Sequence, residues 1–276
     1  MIPQRNLSLL ANRLAKTGGR RIPESVLERD YCLAWFLVGL SQSDLHQRIA
    51  FKGGTALKRC YFADYRFSED LDFTLVEPTS FEDIRHLLEQ VYATVRDATG
   101  IEFAFDREDR EAHANSYTFY LGYTGPLPAP GSVKVDITVR EQVVFPLQNR
   151  SILRGYDEFE DLPDGRIVLA YSLDEIASEK VVALVDPARN EPRDLYDLWY
   201  LTTQANLDLV ALVPAITAKL IFRNRPVEGL QEAILRKETR LKPLWSPRLA
   251  NQMASVPPFE EVFREWRRIL RRARLP

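Results

Sequence analysis

Cysteine is nearly missing from these 276 residues: there are two, Cys32 and Cys60, both in stretches that read as helix. Two thiols so placed build no disulfide framework, and the chain reads as cytoplasmic. Histidine is as scarce. His46, His86 and His113 are scattered, so a zinc site lacks its usual ligands. No run of eighteen apolar residues occurs, and Met1-Ile-Pro-Gln-Arg-Asn6 leads into no signal-type apolar segment. Neither a membrane span nor a leader is therefore expected. An excess of one charge is missing too. The 37 Lys and Arg stand against 39 Asp and Glu, net −2, which removes any global electrostatic reason to bind nucleic acid. Internal repeats and low-complexity tracts are absent as well. What remains, 45% hydrophobic and 28% charged residues, has the balance of a globular protein large enough for one big domain or two lobes.

Charge is nonetheless unevenly placed. Residues 263–276 carry six arginines and one glutamate. Arg267, Arg268, Arg271, Arg272 and Arg274 would share a basic helix face, which is either a solvated helix end or a surface that steers a polyanion.

The pattern along the chain begins as helix through residue 49, with a broad apolar stripe at Val26, Leu27, Tyr31, Leu33, Ala34, Phe36 and Leu37. Residues 47–76 read as strand, Gly-Gly turn, helix and strand. Ser80 caps a helix over 81–99, with Asp83 at the capping-box position. β-rich runs follow at 101–107, 116–123 and 133–140; the stretch Gly125-Pro-Leu-Pro-Ala-Pro-Gly131 between the last two can only connect them. Composition shifts after about Asn149. From Leu173 the chain reads as helical, with Ser172 as cap, Asp174-Glu175 in the first turn, a break at Asp186-Pro187 and a second helix near 192–203. The expectation is a mixed α/β lobe over 1–150 and a mainly helical lobe over 151–276.

The most informative stretch is residues 51–73, Phe-Lys-Gly-Gly-Thr-Ala-Leu-Lys-Arg-Cys-Tyr-Phe-Ala-Asp-Tyr-Arg-Phe-Ser-Glu-Asp-Leu-Asp-Phe. An apolar strand runs into Gly53-Gly54-Thr55, and a second strand carries Asp70 and Asp72. Strand side chains alternate in direction, so these two carboxylates share a face roughly 6–7 Å apart. They repel and raise each other's pKa unless a cation sits between them, and Mg²⁺ or Mn²⁺ suits such oxygens. The glycines allow a tight turn and close backbone approach to an anion. Thr55, in the first turn after them, is placed to reach a phosphate oxygen. Arg66 and Ser68 stand just before the acidic strand, where the guanidinium can grip a phosphate bidentately. Lys58 and Arg59 are expected to face solvent. The plain alternative for the whole block is a turn followed by a solvated strand.

A third carboxylate, Asp136, lies in the β-branched run Val133-Lys-Val-Asp-Ile-Thr-Val139. A strand Asp is costly unless paired or metal-bound; otherwise it simply faces outward. Lys134 shares its face and would hold a phosphate or pair with Asp136. Further on come Glu179-Lys180 and Arg193-Asp194-Leu-Tyr-Asp197-Leu198. Asp194 and Asp197, three apart, share a helix face; a surface ion-pair lattice with Arg189 or Arg193 is the alternative.

Gly-Gly-Thr followed by Arg-Phe-Ser-Glu-Asp-Leu-Asp-Phe resembles the first motif of the DNA polymerase β-type nucleotidyltransferases. More closely, it is similar to the AbiEii/MenT toxins of toxin–antitoxin and abortive-infection systems. Ser178-Glu-Lys180-Val is similar to the lysine-bearing helix of that family, and residues 193–198 to its basic-Asp-hydrophobic-Tyr-Asp-Leu block. The resemblance covers roughly residues 25–205. It implies an α+β fold, a polymerase β-type lobe with a mixed sheet followed by a helical lobe. It also implies a metal-dependent enzyme that transfers NMP from an NTP to RNA, with the tRNA 3′ end as acceptor, and a cognate antitoxin as partner. Asp70, Asp72 and Asp136 would hold Mg²⁺ or Mn²⁺. Gly53, Gly54, Thr55, Arg66, Ser68 and Lys180 would bind the nucleotide. Asp194 and Asp197 would act as a site-facing base or as a brace for Lys180. Transfer onto a protein hydroxyl and a non-catalytic nucleotide sensor remain as alternatives.

Overall fold

The computed structural model describes residues 1–18, 20–109 and 115–276, so His113 lies outside the described residues. The chain divides into two compact units. One comprises Met1–Glu141, Leu147–Tyr171 and Gln252–Ala254; the other comprises Gln142–Pro146, Ser172–Asn251 and Ser255–Pro276.

The first unit opens with α1 (Gln4–Gly18) and α2 (Glu24–Leu40), then a 3₁₀ turn at Asp44–Gln47. Next come β1 (Ile49–Lys52), the single turn α3 (Gly53–Ala56), a π turn at Leu57–Tyr61 and β2 (Leu71–Leu75). There follow α4 (Phe81–Thr99), β3 (Glu102–Glu108), β4 (Ser116–Thr124), β5 (Gly131–Thr138), β6 (Gln148–Ser151) and β7 (Ile167–Ala170). Among the described residues the strands form one seven-stranded sheet in the order β3-β4-β5-β2-β1-β7-β6. It is mixed: β2/β5 and β1/β7 run parallel, the other neighbours antiparallel.

Helix α2 is buried nearly all round, from Leu27 to Leu40, which is what its apolar stripe demands. It packs on α4 and against β5 and β7, with Phe36 edge-on to Phe103 at 5.5 Å. Helix α4 starts where its cap dictates, the Asp83 N–H donating to Ser80 Oγ at 3.1 Å. It ends at Gly100, whose φ of 80° few other residues would tolerate.

The second unit holds α5 (Leu173–Val185), α6 (Pro192–Thr203), α7 (Val213–Phe222), α8 (Leu230–Leu235), α9 (Glu238–Leu249) and α10 (Phe259–Ala273). Ser172 accepts the Glu175 N–H at the start of α5, and Glu191 with Pro192 opens α6. Trp245 meets Phe259 edge-on at 5.5 Å, and Phe259 stacks on Phe263 at 5.3 Å. A buried ion pair, Lys219 to Glu175 at 2.5 Å, fastens residues 142–146. The other Glu175 oxygen accepts the N–H groups of Val144 and Phe145, and Lys219 donates to the Gln142 carbonyl at 2.9 Å.

The sheet extends to Ala170, because β7 pairs with β1 and carries β6 into it. One expectation needs correction: Lys58 and Arg59 do not face solvent, being 2% and 1% exposed. Arg59 is ion-paired with Asp30 and donates to the carbonyls of Asp30, Leu153 and Arg154. Lys58 donates to the carbonyls of Ala63 and Tyr65 and to the Tyr156 hydroxyl. Burial lowers the Lys58 pKa to about 8, against the pull of Asp30. A charged pair enters the core only when every polar atom finds a partner, and these partners come from segments distant in sequence.

Candidate active site

The centre of the sheet assembles the candidate site of the first unit. Asp72 on β2 stands opposite Asp136 on β5 in the parallel pair and opposite Lys52 on β1 in the antiparallel pair; Thr118 on β4 continues the row beyond Asp136. Residues in register on neighbouring strands project from one face. Lys52, Asp72, Asp136 and Thr118 therefore form a single polar line across four strands. Thr118 Oγ1 donates to Asp136 Oδ2 at 2.9 Å, and Lys52 Nζ donates to Thr138 Oγ1 at 3.0 Å. Asp70 stands just before β2, and its carbonyl accepts the Thr55 hydroxyl at 2.5 Å. That bond ties the turn after the glycines to the start of the acidic strand.

The glycines fit against this line. Gly53 has φ of +76°, and a Cβ there would overlap the Asp72 carboxylate, with Asp72 Cβ and Cγ at 3.1 Å. A Cβ on Gly54 would meet Arg66 Nη2 at 2.7 Å and Ser68 Oγ at 3.1 Å. The missing side chains thus bring Asp72 and the Arg66/Ser68 pair against the turn. Arg66 is buried, with Nη1 donating to Gln252 Oε1 at 2.9 Å and to the Phe67 carbonyl at 3.2 Å. Lys134 turns elsewhere: its Nζ lies 4.0 Å from Asp109.

Among the described residues no three His, Cys, Asp or Glu side chains gather into a ready-made cage for an ion. The donor set around β2 and β5 is all hard oxygen. It fits an ion such as Mg²⁺, which is commonly held by one or two carboxylates completed by substrate phosphates and water.

The second unit assembles another cluster. Lys180 on α5 is held by Asp194 at 2.7 Å and Asp197 at 2.9 Å, both on α6 and both fully buried. Arg189 closes on Asp194 at 2.6 Å. Burial alone would push the Asp194 carboxyl up, but Lys180 and Arg189 together hold it below the usual carboxylate range. The geometry is that of a brace: two carboxylates fix one ammonium. The Asp194–Arg189 pair exists as well, its carboxylate buried and its guanidinium half exposed at the surface.

Lys52, Thr118 and Gln252 escaped the sequence reading. Lys52 carried a weak signal, a cation ending an apolar strand directly before the glycines. Thr118 and Gln252 carried none, since strand register and a contact 186 residues away leave no local trace.

A mixed sheet with acidic residues in register beside a Gly-Gly turn is the arrangement expected of a nucleotidyltransferase. The fold agrees. MenT4, a nucleotidyltransferase toxin from Mycobacterium tuberculosis H37Rv, is similar with a TM-score of 0.63 and 19% identity, over 95% of this chain and 89% of that one. The family described as nucleotidyl transferase AbiEii toxin, type IV toxin–antitoxin system, matches residues 35–272. The chain belongs to that family and is a nucleotidyltransferase toxin, which implies an antitoxin partner. No curated protein matches it. Among the described residues no helix is long and apolar enough to cross a membrane.

Proposed function

We propose that the protein, working in the cytoplasm, transfers NMP from an NTP to the terminal hydroxyl of an RNA, with the tRNA 3′ end as acceptor. The observation that carries this reading is the register of Asp72 with Asp136 beside a Gly-Gly turn with room only for glycine at Gly53. In the reaction the acceptor oxygen bonds to the α-phosphorus and the bond from that phosphorus to the bridging oxygen breaks. Pyrophosphate leaves with the electron pair, and the hydroxyl proton passes to solvent. Asp72 and Asp136, in register on β2 and β5, with Asp70 just before β2, would hold a divalent ion, Mg²⁺ or Mn²⁺, completed by substrate phosphates and water, and it would supply Lewis-acid stabilisation of the charge on the phosphates.

The chain's own groups do the positioning. Gly53 and Gly54 let phosphate oxygens approach the backbone. Arg66 and Ser68 offer donors to the same oxygens, and Thr55 keeps Asp70 in place through its hydroxyl. Within the second unit, Asp194 and Asp197 orient Lys180, whose ammonium is suited to a phosphate charge. Preorganised donors of this kind are worth most where charge develops.

The test is incubation of the purified protein with Mg²⁺, each α-labelled NTP in turn and total cellular RNA, beside Asp72→Asn. Label in a tRNA-sized band with one NTP, reduced more than about 10²-fold in the variant, is the expected result. Label in a protein band would replace the RNA acceptor by a protein hydroxyl. Near-full transfer by Asp72→Asn would overturn the site.

A further inference from the structure

The near-neutral total hides a divided charge. Residues 236–276 hold eleven Lys and Arg against four Asp and Glu, net +7, which leaves −9 on residues 1–235 of a chain at −2. Five of these cations, Arg264, Arg267, Arg268, Arg271 and Arg272, lie on α10, which also carries Glu260, Glu261 and Glu265. Its buried residues, Phe259, Val262, Phe263, Trp266, Leu270 and Ala273, form one apolar face turned into the second unit. The opposite face carries Arg264, Arg268, Arg271 and Arg272, all exposed. Positions 264, 268, 271 and 272 follow i, i+4, i+7, i+8 spacing, so the four guanidinium groups line one side of the helix over roughly 12 Å. Arg267 flanks them, ion-paired to Glu238.

We propose that this arginine face of α10 holds the phosphate backbone of the acceptor RNA, an inference that rests on the transfer reading above. Three observations favour that occupant. First, the cations are all arginine, whose planar fork matches phosphate oxygens in pairs. Second, a membrane-surface helix needs an apolar face to bury in lipid, and that of α10 is already covered by its own unit. Third, protein interfaces centre on apolar and aromatic residues with charge at the rim. This face presents charge with no exposed aromatic residue. Past the exposed Glu260 and Glu261 of its first turn, the face presents four exposed arginines and no apolar anchor, which suits sequence-independent backbone binding.

The experiment measures binding of the full chain to RNA of tRNA length across roughly 50–200 mM salt. Wild type is compared with Arg264→Gln/Arg268→Gln/Arg271→Gln/Arg272→Gln. A control variant, Arg5→Gln/Arg20→Gln/Arg96→Gln/Arg166→Gln, loses four exposed arginines of the first unit. Each phosphate contact contributes roughly 0.7–0.9 to the slope of log K against log salt. The α10 variant should therefore lose about 3 from that slope, a difference of roughly 60-fold across the fourfold salt range. The control should stay near wild type. Circular dichroism checks that both variants fold.

Equal slopes in the two variants would overturn the proposal. So would tighter binding of polyglutamate than of RNA to the same face, which would point to an acidic protein instead. A selective loss in the α10 variant, in a protein that labels no RNA with any NTP, would leave the RNA-holding face standing and sink the transfer reading alone.

Discussion

Replacing Gly53 by alanine separates the site's geometry from the stability of the fold. The residue sits at φ +76°, where a Cβ meets the backbone and, in this structure, the Asp72 carboxylate. The conformational cost of a left-handed alanine is roughly 1–2 kcal/mol. Against a typical stability of about 5–15 kcal/mol, that leaves nearly every molecule folded. The overlap with Asp72 is a different matter. Asp72 Cβ and Cγ would stand 3.1 Å from the new methyl, with Oδ2 closer still, so the carboxylate must swing aside by about an ångström. A misplacement of that size costs on the order of 10²-fold in rate, about 2.7 kcal/mol of barrier. Activity should thus fall far more than the folded fraction. The assays are urea unfolding, transfer of label from NTP, and growth arrest on induced expression. The double variant with Asp72→Asn should be no worse than Asp72→Asn alone, because both changes act on one carboxylate. Gly54→Ala is the contrast: its Cβ meets the ends of Arg66 and Ser68, so it should weaken NTP binding more than turnover. Gly53→Ala with activity within threefold of wild type would refute the placement of Asp72.

Further expectations concern the buried charges. Arg59→Met leaves Asp30, 1% exposed, with Lys58 at 4.0 Å as its ion partner among the described residues, and should cost about 3 kcal/mol in urea unfolding; a loss under about 1 kcal/mol would contradict the buried cluster. For Asp194, whose pKa is held low by Lys180 and Arg189 against burial, the ionised form adds stability above the ordinary carboxyl pKa of about 3.9. The gap between wild type and Asp194→Asn should be constant near neutrality and shrink as pH falls through the lowered value; a gap that widens in acid would reverse the assignment. Lys58 runs the other way. Faced by Asp30, Arg59, Asp64 and Tyr156, it titrates near 8 when folded and 10.5 otherwise. Below pH 8 both states are protonated and the group adds no slope. Between 8 and 10.5 the unfolded chain binds more protons, so stability relative to Lys58→Met should rise with pH. A flat difference over that window would show that Lys58 is not shifted.

Features governed by neighbours in sequence were legible without coordinates. Ser80 with Asp83, Ser172 with Glu175, and the span of α6 rest on contacts a few residues long, where hydroxyl, acid and proline act on the adjacent turn. The alternation that places Asp72 on one face of β2 and Asp136 on one face of β5 is likewise local. The conformational demand for glycine before the acidic strand was visible as a Gly-Gly pair. The amphipathic arginine helix was visible as a spacing.

The tertiary structure alone decided which of these faces meet. Asp72 and Asp136 are 64 residues apart, and only the parallel pairing of β2 with β5 puts them in register. Lys58 and Arg59 look like solvent-facing helix cations until Asp30 and the carbonyls of Leu153 and Arg154 close around them. Asp194 and Asp197 read equally well as a surface lattice until burial makes them the brace of Lys180. β6 and β7 belong to the sheet because β1 has a free edge for them, which no residue of theirs announces. Sequence sets what each segment is locally because turn, cap and alternation act over a few bonds. Register and the pairing of buried charges are set by the free energy of the whole packed chain.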